Sequence, residues 1–285
     1  MCSVCGCGEA SKLDSPGNHH DHSHDHSHDH SHSHDHHHYG QGAAGLAVAG
    51  FSQNKLIEIE KNILSKNDGY AESNRDWLAE HGLTALNLVS SPGAGKTTLL
   101  VETLQRIKND FSVGVIEGDQ ETANDSDRIK QVGVAAIQIN TGKGCHLDAH
   151  MVGHAIQELP LDNSVVVFIE NVGNLVCPAS FDLGEDAKVV ILSATEGEDK
   201  PIKYPDMFSV SDLMLISKTD LLPYLDFDVD QAIDYAKRVN PDIEIILLSA
   251  KSGEGMDEWI KWISSKRILK PQVQDAASEK SMTSQ

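Results

Sequence analysis

Seven short runs of apolar, often β-branched residues recur along the chain, with helical patterns between most of them. They read LNLVS, SVGVIEG, VAAIQIN, VVVFIE, KVVILSA, DLMLIS and EIILLSA. Each has strand length, and most are apolar without alternation, as strands covered on both faces of a mainly parallel sheet should be. Parallel neighbours need long crossovers, usually helical. The pattern therefore predicts an α/β fold, a mainly parallel central sheet flanked by helices. Such sheets bind ligands beyond the carboxyl ends of their strands. This chain places its unusual polar loops there. SPGAGKT follows the first run, EGDQ the second, TGKGCH the third, ENVGNLVC the fourth, SKTD the sixth and SAKSG the seventh. One composite site on one edge of the sheet is the expectation.

The flanks have a different composition. Residues 1–9 (MCSVCGCGE) form a cysteine motif. Residues 10–51 comprise a His/Asp/Ser tract and a small-residue linker, and 12 of the 16 histidines fall between His19 and His38. A segment with so few aliphatic side chains cannot bury a core and is expected to be disordered without metal. Residues 52–268 read as the globular domain, opening with two helices over 52–65 and 72–81, and residues 269–285 as a loose polar tail. With 43 acidic against 23 basic residues the formal charge is −20, which argues against nucleic acid and anionic membranes as partners. No apolar run approaches the ~18 residues of a membrane helix. The first residues lack the basic start and apolar stretch of a secretory signal, and five cysteines do not read as a disulfide framework, so reduced thiols in a cytoplasm are expected.

Ser90–Thr97 (SSPGAGKT) lies between a strand and a helix start, the context of the phosphate loop of P-loop NTPases. Gly93, Ala94, Gly95, Lys96, Thr97 and Thr98 are its expected phosphate-binding residues. Lys96 is expected on the β- and γ-phosphates, and the Thr97 hydroxyl on Mg²⁺. Ser90 stands where the usual pattern opens with Gly. Glu170, at the end of the fourth run, and Asp119, after the second, are the acids expected near the Mg²⁺. SKTD resembles the guanine-reading pattern N/T-K-x-D. The Asp220 carboxylate would accept two N–H bonds from guanine and meet an acceptor on adenine, and Lys218 would cover the base. Ser249, Ala250 and Lys251 supply the second base loop. Ser217 replaces the usual Asn and leaves the bracing of that loop open. Lys96, Thr97, Asp119 and Glu170 are thus the candidate catalytic set for slow GTP hydrolysis, at about 10⁻⁴–10⁻² s⁻¹ unassisted, since no catalytic Gln or arginine finger is evident.

Three features could hold metal. Cys2, Cys5 and Cys7 put three thiolates within reach of one ion, with the amino terminus or a tract histidine as a fourth ligand. Thiolates alone do not choose nickel over zinc. The histidine tract offers imidazoles to Ni²⁺, Cu²⁺, Zn²⁺ or Co²⁺ alike. In the body, Cys145, His146 and Cys177 fall on loops at the nucleotide edge, either as ligands that would sense the nucleotide or as buried structural cysteines. His150 and His154 continue at helical spacing and read as polar-face or packing residues rather than ligands.

Together, CxxCGC, the His-rich leader, SSPGAGKT, EGDQ, TGKGCHLDAHM, ENVGNLVCPA, SKTD and SAKSGEG resemble the HypB family, the nickel-incorporation GTPases of hydrogenase maturation. The resemblance runs from Met1 to about residue 265. It implies a P-loop GTPase of the SIMIBI class that dimerises with GTP. It also implies a high-affinity nickel site at Cys2, Cys5 and Cys7, a second nickel or zinc site at Cys145, His146 and Cys177 near the dimer interface, and nickel storage by the tract. The implied partners are the HypA nickel chaperone and the precursor of the nickel–iron hydrogenase large subunit. Alternatives are a nickel store with a regulatory GTPase domain, or a GTPase serving another nickel enzyme such as urease. An ATP-dependent kinase is disfavoured by SKTD and SAK.

Overall fold

The structure, a computed structural model, describes residues 53–268 apart from 111, 120–123 and 161–164. The cysteine motif, the histidine tract and the tail therefore lie outside the described residues. The chain divides between Lys61 and Asn62. Of the first part, the described residues form the opening turns of a helix. The sheet and its sites belong to the second.

All seven apolar runs form strands: β1 (Thr84–Ser90), β2 (Ser112–Asp119), β3 (Ala135–Asn140), β4 (Val165–Glu170), β5 (Ala187–Ser193), β6 (Leu213–Ser217) and β7 (Glu244–Leu247). They make one parallel sheet in the order β3-β2-β4-β1-β5-β6-β7. Every residue of β1 and of β5 is buried, the result of cover on both faces. Alternate side chains feed two layers. Leu86 and Leu88 pack with Leu99, Leu104 and Trp259 on one face. Ala85 and Val89 enter two clusters on the other, with Leu78 and Val152 in one and Phe208 and Ala232 in the other. The covering helices are α1 (Gln53–Glu80), α2 (Lys96–Ile107), α3 (Asn124–Val132), α4 (Ala149–Glu158), α5 (Lys200–Lys203), α6 (Pro205–Ser209), α7 (Val229–Val239) and α8 (Met256–Ile268). No helix among the described residues is long and apolar enough to cross a membrane.

The N-terminal helical region departs from expectation. One helix, α1, replaces the two expected, and it runs unbroken through Asn67-Asp68-Gly69 in the gap between them. Glycine in a helix costs about 1 kcal/mol against alanine, far less than a proline would, and α1 has no proline. Tertiary contacts outweigh that cost. The Asn67 amide donates to the Asp182 carbonyl at 2.7 Å and accepts from the Ala149 N–H at 2.9 Å. The Asn74 amide donates to the carbonyls of Ala149 and Leu183 at 2.7 and 2.9 Å. Ala71 and Leu78 are buried beneath it.

Strand order fixes where a ligand can enter. From β1 the chain moves to β2 and β3 on one side, then β5, β6 and β7 fill the other, so the sheet reverses direction beside β1. A crevice at such a switch point lies outside the carboxyl ends of the strands, which is where the loop after β1 stands.

Candidate functional site

Ser90 ends β1 and α2 starts at Lys96, so the loop between them must turn sharply. Gly93 and Gly95 adopt φ of 76° and 98°, the left-handed region open to glycine, and Gly95 caps α2. Lys96 and Thr97 are buried at the bottom of a cavity of about 480 Å³ that Gly93, Gly95, Thr98, Asp119 and Glu170 also line. The Lys96 ammonium donates to the Ser90 hydroxyl at 2.9 Å, and that hydroxyl donates to the Ser91 carbonyl at 2.6 Å. The serine that replaces glycine therefore holds the lysine. The Thr97 hydroxyl donates to Glu170 Oε1 at 2.6 Å. A hydroxyl and a carboxylate meeting at the head of a cationic cradle are hard oxygen donors suited to Mg²⁺. Asp119 ends β2 on the same rim, beside Asn140 of β3 in register.

Two residues on that cavity were not among the expected site residues. Glu117, buried inside β2, sits opposite Glu170 in the β2–β4 register and lines the cavity. Its signals are its place in the EGDQ segment and its charge in an apolar strand run. Arg128 on α3 also lines the cavity and donates to the Thr98 hydroxyl at 3.3 Å. It adds a cation beside the phosphate loop with nothing in the local sequence to announce it.

A neighbouring cavity of about 230 Å³ is bounded by the two base loops. Ala94, Lys218, Asp220, Ser249, Ala250 and Lys251 all line it, as the pattern predicts for a planar base. Lys218 holds φ 60°, a strained value for a residue with a side chain, and its ammonium donates to the Gly93 carbonyl at 2.8 Å. Asp220 Oδ1 accepts from the Ser249 hydroxyl at 2.6 Å, and that hydroxyl accepts from the N–H groups of Lys251 and Ser252. The carboxylate is thus held in one orientation. Ser217 settles the bracing left open by the sequence: its buried hydroxyl donates to the Ala94 carbonyl at 3.0 Å, tying the base loop to the phosphate loop.

The structure brings Cys145, His146 and Cys177 together, with one ligand atom from each within 4.8 Å of the others. Both cysteines are reduced. Their sulfurs stand 2.9 Å apart, and Cys145 Sγ lies 3.6 Å from His146 Nδ1. Tetrahedral bonds of about 2.3 Å to sulfur and 2.05 Å to nitrogen place S and N about 3.6 Å apart and two sulfurs about 3.8 Å apart. The S–N distance already fits, while the thiols, hydrogen-bonded to one another, must open by nearly 1 Å around an ion. Burial pushes His146 below the ordinary imidazole value, with Asp148 pulling part of the way back, so the ring is neutral and can bind metal near neutral pH. Phe181 packs on that ring at 4.0 Å between centroids.

The backbone around this cluster is built by side chains. Cys177 opens a short 3₁₀ turn, Cys177–Ser180, and the buried Lys188 ammonium donates to the carbonyls of Pro178 and Phe181, with Glu185 Oε1 at 3.6 Å. Asn174 donates to the Cys145 carbonyl at 3.2 Å and accepts from the Val176 N–H at 2.9 Å. Both bonds hold the loops that carry Cys145 and Cys177. Asn171 Oδ1 accepts from the N–H groups of Leu147 and Val172. Gly173 approaches the phosphate loop closely enough that an added Cβ would meet Pro92 Cα at 3.0 Å. Cys2, Cys5 and Cys7 lie outside the described residues.

Comparison with known proteins agrees with this geometry. Residues 84–247 match the nucleotide-binding domain of the CobW/HypB/UreG family. The hydrogenase maturation factor HypB of Escherichia coli K12 is 51% identical over 288 residues, 94% of this chain and 99% of that protein. The HypB of Azotobacter vinelandii is 60% identical over 229 residues, 80% of this chain and 76% of that one. A crystal structure of HypB from Helicobacter pylori in complex with nickel superposes with TM-score 0.69 at 40% identity, covering 73% of this chain and 97% of its own. A P-loop cradle on a parallel seven-stranded sheet, with these relatives over most of its length, makes the chain a member of the HypB family of hydrogenase maturation factors.

Proposed function

We propose that the chain is a GTP-hydrolysing nickel chaperone that binds, stores and inserts nickel during maturation of nickel–iron hydrogenase. The observation that carries this reading is one loop with two contacts. The segment after β4 rests on the phosphate loop at Gly173 and Pro92, and holds the Cys145 loop through Asn174 and Asn171. It then delivers Cys177 to the cluster. A γ-phosphate that shifts Gly173 therefore moves the backbone on which two metal-binding thiols stand.

The chemistry assigned to each residue follows from its place. Lys96 neutralises charge on the β- and γ-phosphates, and Arg128 adds a second cation on the same cavity. Thr97 and Glu170, with Asp119, would hold Mg²⁺, which when bound screens the phosphate charge during transfer. Asp220 selects guanine, with Lys218, Ser249, Ala250 and Lys251 around the base. Cys2, Cys5, Cys7 and the histidine tract gather nickel. Cys145, His146 and Cys177 take nickel or zinc with an affinity set by the nucleotide. GTP pairs two subunits, and slow hydrolysis releases nickel to HypA or to the hydrogenase large-subunit precursor in the cytoplasm.

The test is nickel binding to the purified full chain with GDP and then with a non-hydrolysable GTP analogue, following stoichiometry and oligomeric state together. The expected outcome is a dimer with the analogue and a shifted affinity at a site lost in Cys145→Ser. Identical nickel binding in both states would instead make the protein a nickel store with a separately acting GTPase.

A further inference from the structure

The two sulfurs placed to share an ion are also placed to join each other. Cys145 lies on the loop between β3 and α4, and Cys177 opens the 3₁₀ turn after β4. The Cys145 thiol donates to Cys177 Sγ across 2.9 Å. A disulfide needs about 2.05 Å between sulfurs, and two thiolates on one tetrahedral ion stand about 3.8 Å apart. The reduced pair rests about midway, with roughly 0.9 Å to travel in either direction. Both cysteines are half-buried, so a small reactant reaches the sulfurs. Their loops are held to each other through Asn171 and Asn174 by neutral bonds of modest strength, which leave room for a shift of this size.

The closing step balances with a peroxide as oxidant. One thiol gives an electron pair to a peroxide oxygen as the O–O bond breaks, leaving a sulfenic acid and, for hydrogen peroxide, one water. The neighbouring thiol then attacks that sulfur. The S–S bond forms, the S–O bond breaks, and a second water leaves with the thiol proton. Each sulfur gives up one electron and the peroxide takes up two. A dithiol reductant reverses the reaction by exchange and is itself oxidised. The thiolate is the form that ligates metal, so the linked pair cannot hold an ion.

We propose that Cys145 and Cys177 are a redox couple, a reversible disulfide that closes when the metal cluster is empty. A bound ion holds the sulfurs apart and occupies the lone pairs that oxidation would use. Neither sulfur lines the nucleotide cavities, so the oxidised chain should bind GTP and carry no metal at the cluster. In reducing compartments the disulfides that do form are usually transient or redox-sensing, and an accessible one is readily reduced again. The competition with metal rests on the proposed nickel site, whereas the couple itself rests on the sulfur geometry alone.

The sequence makes the test local. No Lys or Arg lies between Lys143 and Lys188, so trypsin releases both cysteines in one peptide, 144–188, apart from Cys2, Cys5 and Cys7. The full chain, reduced and stripped with a chelator, is exposed to hydrogen peroxide, alkylated and digested without reductant. The peptide should appear without alkyl groups and two hydrogens lighter, and should become doubly alkylated after dithiothreitol. Zn²⁺, which has no redox chemistry of its own, should slow closure about tenfold when its free concentration is about ten times the half-protection value for alkylation of the same peptide. Cys177→Ser should instead leave Cys145 as a sulfenic acid that dimedone traps. A pair that stays fully alkylatable under peroxide, links two copies of the peptide, or passes to sulfinic acids without the disulfide overturns the proposal. So does closure at an unchanged rate while Zn²⁺ shields the pair from alkylation. Zn²⁺ that slows neither reaction would sink the metal reading of the cluster and leave the couple standing.

Discussion

The phosphate cradle and the metal cluster stand at the ends of neighbouring strands yet are held in different ways. In the cradle, Ser90, Lys96 and Thr97 are all buried, and their bonds run to strand ends: Lys96 to Ser90 of β1, Thr97 to Glu170 of β4. In the cluster, Cys145, His146 and Cys177 are half-buried, and the loops carrying them are fastened to each other by Asn171 and Asn174. Each neutral bond of that kind contributes only about 0.5–1.5 kcal/mol. The difference teaches that bonds to buried strand ends make the cradle the more firmly held of the two. Under the proposed nickel cycle, the ion would enter and leave where loop positions are set by a few bonds of modest strength.

If the cradle is the fixed half, losing its cation should abolish chemistry and spare the metal. Lys96→Ala should lower GTP turnover at least about hundredfold, the cost of one charged donor at developing charge. Metal binding at Cys145 and Cys177, measured without nucleotide, should not move. Steady-state phosphate release and nickel titration on the same preparation check both. A metal affinity that fell with Lys96 would break the comparison. Asp220→Asn is the next largest effect. It turns an acceptor oriented by Ser249 into a donor facing two guanine N–H groups. GTP binding should weaken by about 2–4 kcal/mol and the preference over ATP should collapse. Competition between the two nucleotides for the same protein measures this directly.

How much of this was legible in sequence depends on what each feature rests on. All seven strands were, because a strand covered on both faces has little choice but to be apolar throughout. The cradle, the base loops and the Cys145, His146 and Cys177 group followed from strand ends and residue chemistry. The unbroken α1 was not. Its continuity rests on Asn67 and Asn74 finding carbonyls more than seventy residues away. Arg128 was missed because its reach depends on α3 packing, through buried Ile129, against the same core as α2. Glu117 was within reach: an acid inside VGVIEG needs a polar environment, and the strand end supplies one. His150 and His154 are exposed on α4, as their spacing suggested, but the 3.2 Å between their Nε2 atoms is a matter of side-chain rotation, which spacing does not encode.

The loop bonds should sharpen the comparison at a smaller scale. Asn174→Ala removes the bonds to the Cys145 carbonyl and from the Val176 N–H. It should cost about 1–2 kcal/mol of stability. Its diagnostic effect is on coupling. Nucleotide-linked changes in affinity commonly amount to about 5- to 150-fold, and here the ratio of nickel affinities with GDP and with a GTP analogue should fall toward one. GTP binding itself should stay near the parent's. A ratio unchanged in Asn174→Ala would mean that the two sites communicate by another path, or not at all.

The smallest effect concerns the scaffold behind the metal loops. Arg75 of α1 pairs with Asp182 at 2.7 Å, beside the Asn67 and Asn74 bonds that anchor the start of α4. Burial pushes the Asp182 carboxyl up, but the Arg75 hydrogen bond, the Gly184 N–H and the Arg75 charge outweigh it and hold the group below its ordinary value of 3.8. The folded chain therefore binds this proton less readily than the unfolded chain. The stabilisation is complete above the unfolded value, near 4, and is lost as pH falls through the folded one. Both side chains are nearly half exposed, so screening limits the pair to about 0.5–1 kcal/mol. Asp182→Asn should show that loss in urea melts at pH 7, less of it at high salt, and progressively less as pH falls below the unfolded value. A gap that persists in acid would assign the stabilisation to the Asp182–Gly184 turn, whose N–H an asparagine oxygen only partly satisfies. Either way the cradle should bind GTP as before, because Lys96 and Thr97 are fastened to β1 and β4.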